Sequence, residues 1–252
     1  MPGPWLGAVT SLWDEVLGRE FPVTKLFWGL CVLVFAACVA IDGWPPRLGF
    51  GDGQRLSTLL RFGLLIGGLV EEEPWRLLSA VFVHFNVWHI VFNAGALVYL
   101  GRQVEVSLGS ARFALIFVTT GVLGFVASTW WYPPFVPTAG ASGAIFGLMG
   151  VEVGDAIVRR RPDLRWTIFR VLAFAVLLSL ALGANLAAHL GGLLAGGAFG
   201  VLFSRERPSA WLGRLVVAGA VLGVLASFGS IALANGSPVW MDVRFREEQG
   251  FR

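Results

Sequence analysis

Residues 139–150 read AGASGAIFGLMG, an apolar run in which Ser142 stands among small residues. Gly143 and Gly147 are four positions apart, so they share one face of a helix, and small residues on one face let membrane helices approach closely. A lone serine in such a helix usually bonds back to its own backbone. The other interpretation is a nucleophile inside a membrane. The stretch alone leaves both open, and the rest of the chain has to distinguish them.

The composition of the chain is that of a membrane protein. Its 252 residues are 56% hydrophobic and 14% charged, with a mean hydropathy of +0.73, whereas about a quarter of the residues in a soluble domain are charged. A helix that crosses a bilayer needs ~20 mostly apolar residues. Such runs predict an all-α polytopic membrane helix bundle with seven spanning helices, placed at 24–42, 81–100, 112–131, 141–158, 167–184, 187–203 and 211–234.

The arginines indicate how the bundle is oriented. The loop after the fourth predicted helix contains the densest basic cluster in the chain, Arg159, Arg160, Arg161 and Arg165, and basic loops favour the cytoplasmic side. Seven crossings then place the N-terminus inside and the C-terminus outside. The pI of about 9.4 reflects these loop arginines and does not indicate a nucleic-acid partner.

Three segments lie outside the predicted helices. Residues 1–23 are expected to be a cytoplasmic N-terminal segment without the pattern of a cleavable signal peptide. Their apolar spacing fits either an amphipathic helix on the inner surface or a short helix packed on the bundle. Residues 43–80 are expected outside, either as an interfacial or half-inserted element or as a lipid-anchored connector. Residues 235–252 are predicted to be a polar C-terminal tail.

Few polar side chains lie within the apolar runs, and they are candidate functional residues because burying them in lipid costs free energy. The stretch HFNVWHIVFN, residues 84–93, opens the second predicted helix and contains His84, His89 and Asn93. His89 and Asn93 are spaced by four and share a helix face, whereas His84 would point roughly 140° away on the same helix. The remaining histidine, His189, begins the sixth predicted helix.

Helix arithmetic places Ser142, His189 and His89 at one depth. Ser142 lies 17 residues before Arg159, and His189 lies 16 residues before Arg205. At ~1.5 Å per residue both side chains are roughly 25 Å above the inner charged boundary. This is slightly below the outer surface of a hydrocarbon core ~30 Å thick. His89 falls in the same layer by a similar count from the inner end of its helix.

A serine and a histidine at equal depth can carry out acyl transfer if their helices pack together. Small residues at 188, 192, 196 and 200 match the glycines beside Ser142 and favour such packing. His189 would take the hydroxyl proton of Ser142. His89, Asn93 and the free backbone N–H groups at the start of the fourth predicted helix would stabilise an oxyanion. No acidic residue obviously completes a triad, so we predict a two-residue catalytic unit.

Other membrane functions fit the sequence less well. The His-Glu-x-x-His pattern of zinc proteases is absent, and although three histidines could bind zinc, no carboxylate base is evident in their layer. We therefore expect neither a metal nor a cofactor. Asp42 and Asp155 lie towards opposite faces of the membrane, which disfavours an aspartyl protease. A transporter would need polar groups through the midplane and inner half. A non-catalytic membrane binder that holds client helices in the same groove stays open.

The chain resembles the rhomboid intramembrane serine proteases from Trp75 to about Gly200. The matching motifs, in chain order, are Trp75-Arg76, the His-x4-His-x3-Asn pattern of His84, His89 and Asn93, Glu105 with Leu108-Gly109, Gly140-Ala141-Ser142-Gly143, and Ala188-His189 with Gly192 and Gly196. The resemblance implies that Ser142 is the nucleophile and His189 the general base. His89, Asn93 and the backbone N–H of Ser142 would form the oxyanion hole. His84 and the Trp75-Arg76 pair would shape the first loop.

The resemblance also implies an architecture. Residues 24–204 would form a six-helix catalytic core with a shorter fourth helix in the middle and a water-filled cavity open to the outside. Residues 205–234 would add a seventh transmembrane helix. Phe146 stands where many family members have a tyrosine that stacks on the base histidine, and we expect activity to survive because the ring is kept. Asn185 receives no role.

Together these features predict an intramembrane serine endopeptidase that uses a Ser142–His189 dyad. It would hydrolyse peptide bonds in or near transmembrane segments of membrane-protein substrates. Its partners would be those substrates and the lipid bilayer. We expect a multi-pass protein of the bacterial cytoplasmic membrane, with the active site open to the outer face. The alternative is a rhomboid-like protein that binds client helices without cleaving them.

Overall fold

The computed structural model describes residues 20–43, 54–182, 185–205 and 210–249, and these residues are mostly helical. The helices are α1 (Pro22–Asp42), α2 (Leu56–Arg61), α3 (Arg76–Ser79), α4 (Val87–Leu108), α5 (Ser110–Trp131), α6 (Ser142–Val158), α7 (Leu164–Leu182), α8 (Leu186–Arg205), α9 (Ala210–Gly236) and α10 (Val239–Glu248). Two short strands, β1 (Leu65–Ile66) and β2 (Pro137–Thr138), pair antiparallel. The predicted all-α bundle is confirmed. The predicted interfacial helix in residues 1–23 lies largely outside the described residues.

Several of the long helices are suited to cross a membrane. Within the described residues, α1, α5, α8 and α9 are long and apolar enough to do so. A fifth candidate joins Arg76–Phe82 to α4 across a bend of 92°. Helix α6 has 17 residues and spans ~26 Å, which is less than a hydrocarbon core of ~30 Å. Each of the seven predicted ranges overlaps one long helix, α1 or one of α4 to α9, and seven crossings stay a prediction.

The predicted start of the second spanning helix is wrong. Helix α4 runs over Val87–Leu108 instead of 81–100, because the Asn86 side chain accepts the N–H of His89 at 2.9 Å and caps the helix there. His84 therefore lies in the bend before α4 and does not point away from His89. The two imidazole rings are 5.0 Å apart between centroids.

Helices α6 and α8 pack at backbone contact through the glycines that the sequence singled out. A Cβ on Gly192 would lie 2.0 Å from the carbonyl oxygen of Gly143, and a Cβ on Gly196 would lie 1.9 Å from that of Gly147. Neither position can hold a larger residue without moving the helices apart. The predicted small-residue packing of these two helices is confirmed, and it brings the start of α6 to the start of α8.

A buried carboxylate joins three helices near the C-terminal end of α4. Glu105 is 2% exposed and accepts the backbone N–H of Val23 at 3.0 Å and of Thr24 at 2.7 Å. It also accepts the hydroxyls of Thr24 at 2.7 Å and of Ser110 at 2.6 Å. The first N–H groups of a helix lack acceptors within the helix. In α1 the Glu105 carboxylate accepts two of these N–H groups.

The described part of the long segment between α1 and α4 is packed against the protein. Leu59, Leu60 and Leu64 are buried, and β1 pairs with β2 in the connection that leads to Ser142. Gly68 donates its N–H to the carbonyl of Pro134 at 2.8 Å. A connector anchored only in lipid is therefore wrong for residues 54–80, while residues 44–53 lie outside the described part.

The predicted polar tail contains a helix. After α9 ends at Gly236, α10 packs its half-buried Val239, Trp240 and Val243 on the core. The carboxylate of Glu247 accepts the hydroxyl of Ser57 at 2.6 Å. The C-terminal segment and the long segment that follows α1 thus lie on the same end of the bundle.

Candidate functional site

Ser142 is the first residue of α6, where a tight turn presents it half-buried. The turn depends on Gly140, which has a φ of +112° that side chains rarely adopt. The N–H of Gly140 donates to the carbonyl of Ala80 at 2.9 Å. No side chain caps α6, and the N–H groups of its first turn have no acceptor within the helix. They are available to a ligand beside Ser142.

His189 meets Ser142 across the α6–α8 interface. Its Nε2 lies 3.0 Å from Ser142 Oγ, and its side chain is 1% exposed. The ring of Phe146, one turn along α6, stacks on the imidazole with centroids 4.3 Å apart and planes at 25°. Nδ1 of His189 is buried without a hydrogen-bond partner among the described residues. The imidazole is therefore held by aromatic stacking, with one nitrogen directed at the serine.

His89 approaches the same turn from α4. Its Nδ1 accepts the backbone N–H of Phe85 at 3.3 Å, and the two rings stack with centroids 5.6 Å apart. Because Nδ1 acts as an acceptor, the neutral ring carries its proton on Nε2. That nitrogen lies beside Gly140, where a Cβ would be 2.5 Å from it. His89 thus directs a hydrogen-bond donor at Gly140, the residue two positions before Ser142.

Asn93 lies one turn further along α4, as the spacing predicted. Its Nδ2 donates to the carbonyl of His89 at 2.8 Å, and its Oδ1 is buried without a partner among the described residues. The structure therefore joins Ser142 directly to His189 and brings His89 to the turn before Ser142. Asn93 bonds its own helix, with one amide N–H not used in that bond.

His84 and Arg76 support the long segment between α1 and α4. Nδ1 of His84 lies 3.2 Å from the carbonyl oxygen of Phe82. Arg76 is fully buried and donates to the carbonyls of Leu60 at 2.9 Å and Leu64 at 3.0 Å. These contacts hold the backbone that precedes α4, in keeping with the expectation that His84 and Arg76 shape the first loop.

Comparison with known proteins identifies the family of this chain. The family model described as "Rhomboid domain" matches residues 71–206, which is more than half of the chain. The chain belongs to the rhomboid family. The matched range contains all four residues proposed for the site and ends before α9.

Curated rhomboid relatives extend the match. The chain is 37% identical over 152 residues to rhomboid protease GluP of Bacillus subtilis, which covers 58% of this chain and 29% of GluP. It is 30% identical to the mitochondrial RHOMBOID-like protein 6 of Arabidopsis thaliana, with 63% and 54% covered. With RHOMBOID-like protein 5 of the same plant the identity is 32%, with 78% of this chain and 67% of the relative covered. The chain thus spans only about a third to a half of the first two relatives.

One residue at this rhomboid site was not assigned a role from the sequence. The side chain of Asn185 accepts the N–H of Ala188 at 2.9 Å and so caps α8, and its Nδ2 donates to Ser128 Oγ on α5. Its backbone carbonyl accepts the N–H of His189 at 3.1 Å. An asparagine just before an apolar helix is a typical cap, and this signal could have identified it. Asn185 fixes where the helix that carries His189 begins.

Proposed function

We propose that this protein is an intramembrane serine endopeptidase that cleaves transmembrane proteins with a Ser142–His189 dyad. The observation that carries the proposal is the 3.0 Å contact between Ser142 Oγ and His189 Nε2. Family membership supports it, since relatives such as GluP are named rhomboid proteases. A serine–imidazole pair at hydrogen-bond distance is the arrangement that activates a hydroxyl as a nucleophile.

The first half-reaction would transfer an acyl group to the enzyme. Ser142 Oγ attacks the scissile carbonyl carbon while His189 Nε2 takes the hydroxyl proton. The tetrahedral intermediate collapses, the peptide C–N bond breaks, and His189 returns the proton to the leaving amine. The new amino terminus departs and the other fragment stays as an ester on Ser142. Phe146 keeps the imidazole facing the serine in both protonation states because it contacts the ring face.

Donors for the intermediate would come from two directions. The backbone N–H groups at the start of α6 face the region beside Ser142, and a preorganised donor contributes ~3–4 kcal/mol of transition-state stabilisation. His89 adds Nε2–H from α4, because Phe85 occupies its other nitrogen. Asn93 would add the amide hydrogen that its helix does not use. We include His89 and Asn93 in the oxyanion hole on this basis.

The second half-reaction needs water at a site inside a membrane protein. Water attacks the ester carbon, His189 takes a water proton, and Ser142 leaves with that proton as the acid fragment is released. Ser142 and His189 begin their helices on the outer side of the predicted topology, within reach of external water. We propose a bacterial cytoplasmic membrane as the location, with the site open to its outer face.

Cleavage of a single-span reporter tests the proposal. The purified protein is reconstituted with the reporter in liposomes, and products are located by mass spectrometry. Wild type is expected to cut within or near the span, and Ser142→Ala to leave the reporter intact. Ser227→Ala is the matched control, because Ser227 is buried and its hydroxyl, among the described residues, bonds only the carbonyl of Gly223 on its own helix, at 2.8 Å. Reporter binding without cleavage by wild type would favour the non-catalytic binder instead.

A further inference from the structure

Ser237, directly after α9, forms a buried polar cluster with residues of the long segment between α1 and α4. Ser237, 4% exposed, donates its hydroxyl to the carboxylate of Glu73. The other carboxylate oxygen of Glu73 accepts Arg76 Nε. Arg76 is 0% and Glu73 7% exposed. Arg76 also donates to the carbonyls of Leu60 and Leu64, whereas the Glu73 carboxylate takes from Arg76 and Ser237 the hydrogen bonds that water would otherwise supply.

Four further contacts join α2 to α10 and to the end of α9. The guanidinium of Arg61 lies 4.8 Å from the centre of the Trp240 ring, and its Nε donates to Asn235 Oδ1 at 3.3 Å. At the other end of α2, the Glu247 carboxylate accepts both the N–H and the hydroxyl of Ser57, at 3.3 and 2.6 Å. These contacts therefore hold both ends of α2 to the C-terminal part of the chain.

The cluster leads by covalent and hydrogen-bonded steps to Ser142. Arg76 begins α3, and this helix runs directly into the turn of Ala80–Phe82. The carbonyl of Ala80 accepts the N–H of Gly140, two residues before Ser142. A shift of α3 would therefore move the acceptor that fixes the turn at Gly140. Displacements of about 1 Å at a catalytic group can cost up to ~100-fold in rate.

We propose that Ser237 and α10 are positioning elements for the reaction at Ser142. The C-terminal segment completes the Glu73–Arg76 pair, the pair fixes α3, and α3 holds the Gly140 turn through Ala80. The inference rests on the proposed protease function, and it assigns a role to residues that lie outside the range matched by the family model. Ser237 touches no reacting atom in this scheme and acts through Glu73 and Arg76.

The test measures the rate at which a fluorophosphonate modifies Ser142, per folded molecule, in detergent. Ser237→Ala removes the donor to Glu73 and is expected to slow labelling roughly tenfold. Ser237→Thr keeps the hydroxyl and is expected to restore most of the rate. The control is Ser230→Ala, because Ser230 is also 4% exposed and its hydroxyl, within the part of the chain that the structure describes, bonds only Ser227 O, at 2.8 Å. Circular dichroism at the assay temperature gives the folded fraction of each variant, and the melting temperature gives its stability.

Each outcome bears on the inference. A purely structural role would lower the melting temperature of Ser237→Ala and leave the labelling rate of its folded molecules unchanged, which would overturn the proposal. An equal loss in Ser230→Ala would also overturn it. If Ser237→Ala does not fold, Trp240→Leu decides by the same measurement, since it removes the Arg61 contact and leaves Ser237. Failure of wild type itself to label would count against the protease function instead.

Discussion

Gly196 lies against Gly147 so closely that a Cβ on Gly196 would be 1.9 Å from the Gly147 carbonyl oxygen. This contact brings α8 onto α6 one turn or more below the Ser142–His189 pair. The distance between Ser142 and His189 therefore depends on glycines at the α6–α8 interface, although these glycines take no part in the reaction. The interface of α6 with α8 thus both packs the two helices and brings Ser142 to His189.

Replacing Gly196 with alanine is expected to separate α6 from α8. The methyl group cannot fit against backbone atoms, and overpacking a close interface costs about 1–3 kcal/mol. We expect a lower melting temperature and a large loss of reporter cleavage. The control is Gly229→Ala, since nothing lies within 4 Å of a Cβ there and alanine favours a helix by ~0.5–1 kcal/mol. Full activity in Gly196→Ala would show that the contact is not needed.

Phe146 is expected to act through its ring face. Phe146→Ala removes the surface on which His189 stacks and leaves a cavity, at a cost of ~3–5 kcal/mol in stability. We expect kcat to fall more than KM rises, because the substrate does not need the ring in order to bind. Phe146→Tyr keeps the ring and should retain most of the activity. Equal kcat in wild type and in folded Phe146→Ala would contradict a supporting role for the stacked ring.

Asn185 is expected to position His189 through the start of α8. Asn185→Ala loses the cap, worth ~1 kcal/mol, and the bond to Ser128. Asn185→Asp keeps the acceptor for Ala188 and loses the donor to Ser128, so we expect it to regain the stability of the cap. The melting temperature and the labelling rate at Ser142 are measured together. If both variants match wild type in both measurements, the cap has no influence on the site.

The sequence identified the bundle and the Ser142–His189 pair because both depend on local patterns. Apolar runs of spanning length fix the helices, and small residues spaced by four mark the interface where α6 meets α8. Similar residue counts, 17 and 16, to Arg159 and Arg205 then placed Ser142 and His189 at one depth. Each of these signals can be counted along a single helix without knowing the fold.

Two kinds of feature could not be predicted from the sequence. One depends on competition between an apolar run and a helix cap, and the other depends on contacts between residues far apart in the chain. The start of α4 was misplaced because the apolar run continues through residues 81–83, while the Asn86 side chain caps the helix later. The docking of α10 could not be predicted, because its polar composition resembles a solvated tail and its partners, such as Ser57 for Glu247, lie far away in sequence. The buried hydrogen bond between Ser237 and Glu73 could not be predicted for the same reason, because the two residues lie far apart in the sequence.

The most direct test of the account is whether modification of Ser142 requires His189. The protein is treated with a fluorophosphonate in detergent or liposomes, and the modified residue is identified by mass spectrometry. The account predicts a single adduct at Ser142 in wild type and no adduct in His189→Ala of matching helical content. An adduct at Ser142 that forms at the wild-type rate without His189 would contradict the dyad.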